Sequence, residues 1–181
     1  MKYLNSKSTI IILLLSCIAV FQIYSHCQMP CAIYHDEARF DDFDENIETL
    51  SKAMSEIQRL QKISNKSVTD VNQLVRWIDT KDDHAELIQD IATEYFLTQR
   101  IKMLPKGEKD EKKITEYFIK LRLLHEIMVK SMKCKQTVDL ANVRSLADSI
   151  EAFEYIYLGK EKHEKMHKHK AHDHKDHDHS H

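Results

Sequence analysis

FDDFDENIETLSKAMSEIQRLQKI, residues 40–63, decides the fold. Phe40, Phe43, Ile47, Leu50, Met54, Ile57 and Leu60 recur three and four apart, with Asp, Glu, Lys and Gln on the positions between them. That spacing draws one apolar stripe along a helix and leaves the other faces wet. A helix with a single apolar stripe buries it against partners, and the rest of the chain supplies three.

A second helix is predicted from about Asp70 to Met103, carrying Val71, Leu74, Val75, Ile78, Ala85, Ile88, Ile91 and Tyr95. Its pattern weakens at Thr80-Lys81-Asp82-Asp83, which predicts a bend or break there. Asn65-Lys66-Ser67 reads as the preceding turn, with Ser67 or Thr69 as the cap. Leu104-Pro105-Lys106-Gly107 ends the helix. A third helix, about Asp110 to Lys133, is expected to bury Ile114, Tyr117, Phe118, Leu121, Leu124 and Met128. The fourth, about Asp139 to Leu158, presents Val143, Leu146, Ile150, Phe153 and Tyr157, and Gly159 stands at a natural helix end. Two glycines and two prolines in 181 residues leave few turns, and no alternating runs suggest strands. The fold class is all-α, an up-down-up-down four-helix bundle joined by short connections. A net charge of −2 argues against a general binder of nucleic acid or of anionic membranes.

The domain organisation follows: a signal peptide over 1–25, a metal-binding hook and connector over 26–39, the bundle over 40–160, and a His-rich tail over 161–181. Lys2 and Lys7 precede an apolar run from Ile10 to Val20, and Ser25 is the small residue before a cut at His26. The run is short for a membrane span, so no stable anchor is expected once it is cleaved. A retained anchor is one alternative. Acylation at Cys17, within Leu14-Leu15-Ser16-Cys17, is another. Cleavage at Ser25 implies a processing protease and an exported protein, periplasmic or extracellular.

That cut would expose His26-Cys27-Gln28-Met29-Pro30-Cys31-Ala32-Ile33-Tyr34 as a new N-terminus. It offers a free amine, an imidazole, two thiols and the amide of Cys27 within six residues. The His26 amine, the Cys27 amide and the Cys27 sulfur close adjacent chelate rings, and Cys31 can complete a plane of two nitrogens and two sulfurs. Pro30 restricts the intervening backbone. Planar nitrogen and sulfur donors suit Ni(II) or Cu(II), whereas Zn(II) prefers a tetrahedron. The His26 side chain remains as a candidate fifth ligand. A small disulfide loop between Cys27 and Cys31, or a zinc site, are the competing readings.

The pattern His-Cys-x-x-Pro-Cys-x-x-Tyr, met here by His26, Cys27, Pro30, Cys31 and Tyr34, resembles the nickel hook of nickel-containing superoxide dismutases. A looser likeness continues through about Phe40–Tyr157. The resemblance implies a four-helix bundle assembled as a homohexamer, with superoxide as substrate and a nickel ion as cofactor. It implies ligation by the His26 amine and imidazole, the Cys27 amide and sulfur, and the Cys31 sulfur. Tyr34 would line the approach of the anion, and turnover would cycle Ni(II) and Ni(III) to give oxygen and hydrogen peroxide. Gln28 and Ala32 depart from residues common in the family, but neither is a ligand position. His84 and His125 read as helix-surface and core-edge residues, and Cys134 as a free or buried thiol.

His163, His167, His169, His172, His174, His177, His179 and His181 crowd the end of the chain among Lys and Asp. With no apolar residue after Met166 except Ala171, this tail is expected to be disordered without metal. Its imidazoles suit loose capture of Ni(II), Zn(II) or Cu(II); a plain solubilising tail is the alternative. Two functions follow: a nickel superoxide dismutase, or an exported nickel-binding or metal-delivery protein without turnover.

Overall fold

The computed structural model describes residues 36–176, with side chains placed as far as Lys168. α1 spans Asp36–Gln61, α2 Val68–Asp90 with a π-helical continuation over Ile91–Arg100, α3 Glu111–Gln136, α4 Leu140–Leu158 and α5 Lys160–Asp176. Among the described residues there is no strand, and no helix is long and apolar enough to cross a membrane.

Cross-helix contacts fix the topology. Tyr157 near the end of α4 donates to Asp36 at the start of α1, while Gln58 near the end of α1 donates to the Val138 carbonyl just before α4. His84 pairs with Asn46, Gln89 donates to the Met128 carbonyl, and Lys130 donates to the Ser145 carbonyl. Each pairing runs antiparallel, and α1 packs on both α2 and α4. The result is the expected up-down-up-down bundle.

α1 follows its stripe closely. Phe40, Phe43, Leu50, Met54, Ile57 and Leu60 are all buried. The helix begins at Asp36 rather than Phe40, so it takes up the last residues assigned to the connector; Asp36 and Glu37 favour the positive end of the helix dipole. Ser67 caps α2 as foreseen, its hydroxyl accepting from Asp70 N while Asp70 accepts from Ser67 N at 2.8 Å.

Two expectations about α2 require correction. The helix is regular through Thr80–Asp83; the weak pattern there has another cause. Lys81 is buried, and its ammonium donates to the Cys134 and Lys135 carbonyls at 3.1 and 2.5 Å. Those carbonyls belong to the last turn of α3, where helix geometry leaves acceptors unpaired. A buried cation replaces an apolar residue because it caps a neighbouring helix. The second correction is burial: Val71, Val75 and Ile78 are 48%, 51% and 38% exposed, so the first half of the stripe does not face the core.

α3 also departs from expectation. Leu124 is buried as foreseen, but Phe118 is 60% exposed and the rest of the buried set is Leu123, Ile127, Ser131 and Cys134. Apolar residues lie on several sides of this helix (Ile114, Phe118, Ile119, Leu121, Val129 and Met132 besides the core), so spacing alone fits more than one phase. Cys134 is a free thiol, and burial pushes it up to about 11 despite the charge of Lys81. It stays protonated and unreactive at neutral pH.

α4 buries Val143, Leu146, Ile150 and Phe153 as read. At its end Gly159 takes φ 80°, a conformation open to glycine, and donates to the Tyr155 carbonyl. The chain then re-enters helix at once. α5 thus opens the segment assigned to the tail. Lys165–Glu161 and Lys160–Glu164 pairs one turn apart support α5, and Met166 packs against the core.

Candidate functional site

The end of the bundle where α1 begins carries an aromatic cluster topped by a polar network. Phe96 is fully buried and lies 5.0 Å from Phe40, 5.0 Å from Phe153 and 5.2 Å from Tyr157, ring centre to ring centre. Above it, Asp36 Oδ1 accepts from Tyr95 OH at 2.5 Å and pairs with Arg100 Nε at 2.8 Å, while Oδ2 accepts from Tyr157 OH at 2.8 Å. Arg100 also donates to Tyr95 OH at 2.7 Å.

The π-helical segment makes this assembly. In an α-helix, residues five apart point about 140° away from each other. The wider turn, with hydrogen bonds five residues apart, brings Tyr95 and Arg100 to one side. Both then reach a carboxylate on α1. Asp36 follows Tyr34 by two positions, so the network fixes the residue at which the chain enters the bundle.

Burial pushes the Asp36 carboxyl up, but hydrogen bonds from Tyr95 and Tyr157 and the charge of Arg100 outweigh it and hold it below 3.8. Burial and the Asp36 charge push both phenols up, so at neutral pH they remain protonated donors. A carboxyl depressed in the folded state stabilises the fold above its unfolded value and loses that contribution as pH falls through its folded value. Asp36→Asn is therefore expected to lower stability at pH 7, with the gap to wild type closing as the pH is brought below 3.8. Urea midpoints measured across that range check it.

Beside the network lies a groove of about 220 Å³ lined by Arg100, Lys102, Lys113, Lys120 and Glu116 among others. Three of these four cations are already paired within the chain, Arg100 with Asp36, Lys120 with Glu116 and Lys113 with Asp110, so the excess positive charge of the groove is small.

The predicted ligands His26, Cys27 and Cys31, and Tyr34, lie outside the described residues. Their donor set nonetheless fits nickel: two thiolates, an amine, an ionisable amide and an imidazole satisfy an ion that favours planar nitrogen and sulfur coordination. Of the tail, His163 and His167 are on α5 with ring centres 4.4 Å apart. His169, His172 and His174 fall within the helix, but their side chains lie outside the described residues, as do His177, His179 and His181 entirely. His84 is half-buried against Asn46, closer to the core than a helix-surface reading gave it, and His125 is exposed rather than at the core edge.

Sequence reasoning missed Asp36, Arg100 and Glu154 and counted Tyr95 and Tyr157 as plain core. For Glu154 a signal existed. It sits on the apolar face of α4 beside Phe153, four residues after Ile150, and is 2% exposed. For Tyr95 and Arg100 the signal was absent, because five-residue spacing carries meaning only once the π-helix is known.

The family model of nickel-containing superoxide dismutase matches residues 21–162, which span the His26–Tyr34 segment and the four bundle helices. No curated protein and no solved structure matches the chain.

Proposed function

The chain belongs to the nickel-containing superoxide dismutase family, and from that premise we propose how its own residues serve the reaction. The enzyme is a nickel-dependent oxidoreductase that converts two superoxide ions and two protons into oxygen and hydrogen peroxide. Nickel, when bound, supplies a one-electron couple between its +2 and +3 states.

The chain's part is to hold that ion and manage a small anion. Cys27 and Cys31 provide thiolates, soft donors that release their protons on binding. The His26 amine and imidazole and the Cys27 amide would complete the ligand set. Tyr34 holds superoxide and water by its hydroxyl, keeping the anion oriented and away from direct attack on sulfur. Lys102, on the wall of the groove beside the Asp36 network, offers a positive charge to an approaching superoxide. The observation that carries this reading is the register of His26, Cys27, Pro30, Cys31 and Tyr34 within the matched span.

The amine exists as a ligand only after cleavage before His26, and the charged start and apolar run of residues 2–20 support export to the periplasm or outside the cell. Assembly as a homohexamer is supported by the exposed stripe Val68, Val71, Val75 and Ile78 on α2, apolar surface suited to burial between copies. The distal tail histidines serve metal capture for the hook.

The test is metal exchange on the mature protein. Nickel-loaded protein is expected to dismutate superoxide, and the zinc-loaded form to be inactive. Stoichiometric nickel binding without turnover would mark the protein as a metal carrier instead.

A further inference from the structure

We propose that Glu154, His163 and His167 form a binding site for one Zn(II)-class cation, separate from the N-terminal hook. His163 and His167 are one helical turn apart and share a face of α5. Glu154 reaches them from α4, with its Oε1 3.6 Å from His167 Nε2. One ligand atom from each of the three lies within 4.8 Å of the others.

Two imidazoles and one carboxylate are a donor set that zinc accepts, with water in the fourth position. Ligand atoms 2.0–2.2 Å from a tetrahedral zinc lie about 3.3 Å from one another. The Glu154–His167 distance is already near that value, and the His163 ligand atom lies within 4.8 Å of both. The surroundings favour a cation. Glu154 is 2% exposed, and burying a carboxylate carries a desolvation cost that a divalent ion offsets. His163 Nε2 is buried without a hydrogen-bond partner, as a nitrogen awaiting a metal would be. Its ring is held in place by Tyr155, edge to face at 5.4 Å. His167, 44% exposed, leaves an opening for the ion and the water ligand.

The fold explains why these residues meet. Gly159 lets the chain turn directly from α4 into α5, and Met166 seats α5 on the core. Lys162 pairs with Glu37 at 3.8 Å, tying the same helix to the first turn of α1. A cation at Glu154 would thus clamp the root of the tail onto the bundle, while the histidines beyond Lys168 remain a separate, weaker group.

The experiment is a Zn(II) titration of the full mature chain against a chromophoric chelator. It is run on the nickel-loaded protein and again on the Cys27→Ser/Cys31→Ser variant, in which the hook no longer competes. In both, one zinc equivalent is expected to bind ahead of the rest. Glu154→Gln and the exposed His167→Gln should each weaken that first event by about tenfold or more, and deletion of residues 169–181 should leave it in place. Dismutation by the nickel-loaded variants should be unchanged. The proposal is overturned if no equivalent binds ahead of the others, if both variants retain the first event at wild-type strength, or if the deletion removes it. Because the doubly substituted chain gives the same readout without a working hook, failure here is distinct from failure of the dismutase reading.

Discussion

Serine in place of Cys27 or Cys31 should abolish nickel binding at the N-terminus and lower superoxide dismutation by more than about 100-fold, the scale on which lost metal-site support is felt. A serine hydroxyl stays protonated at neutral pH and is a hard donor, so each change removes a thiolate that nickel needs. Both positions precede α1, and the core described for the bundle is built from Phe40 onward. The variants should therefore keep the wild-type helical signal and melting temperature. Elemental analysis and a superoxide assay on the same preparation check the two losses together. Nickel retained at full stoichiometry in either variant would remove that sulfur from the ligand set.

Phe96→Ala should have the largest effect on stability, about 3–5 kcal/mol. The ring is fully buried and contacts Phe40, Phe43, Tyr95, Phe153 and Tyr157, which come from α1, α4 and its own π-helical segment. Removing it opens a cavity that rigid aromatic neighbours fill poorly. For a chain of this size the loss corresponds to a melting temperature lower by roughly 10–15 °C. Phe118→Ala is the control: that ring is 60% exposed, and a surface change of this kind stays within about 0.5 kcal/mol. Calorimetry on the pair separates burial from mere aromaticity, and equal destabilisation by both would contradict the packing described for α3.

Much of the bundle was legible because apolar spacing reports which face of a helix is dry. α1 and α4 carry one narrow stripe each, and their cores were read almost residue by residue. α3 carries apolar residues on several sides, so its phase could be settled only by its neighbours. Lys81 looked like a break in α2 since a sequence does not record that the carbonyls of Cys134 and Lys135 wait beside it.

The functional end was legible in a different way. The hook is a run of neighbouring residues whose chemistry depends on identity and order, so it could be read without a fold. The Asp36–Tyr95–Arg100–Tyr157 network joins residues distant in sequence through a helix geometry that periodicity does not encode. Glu154 is intermediate. A charged residue on a buried face signals a purpose, but only its meeting with His163 and His167 gives that purpose a chemistry.

The central claim is that a freshly exposed His26 amine helps to hold nickel. Intact-mass measurement of the active protein from its native source, paired with elemental analysis, tests it most directly. The account predicts a chain starting at His26, with Cys27 and Cys31 not joined in a disulfide and one nickel per chain. An active protein that starts at any other residue, or one whose two sulfurs are bonded to each other in the nickel-free form that turns over, would contradict it.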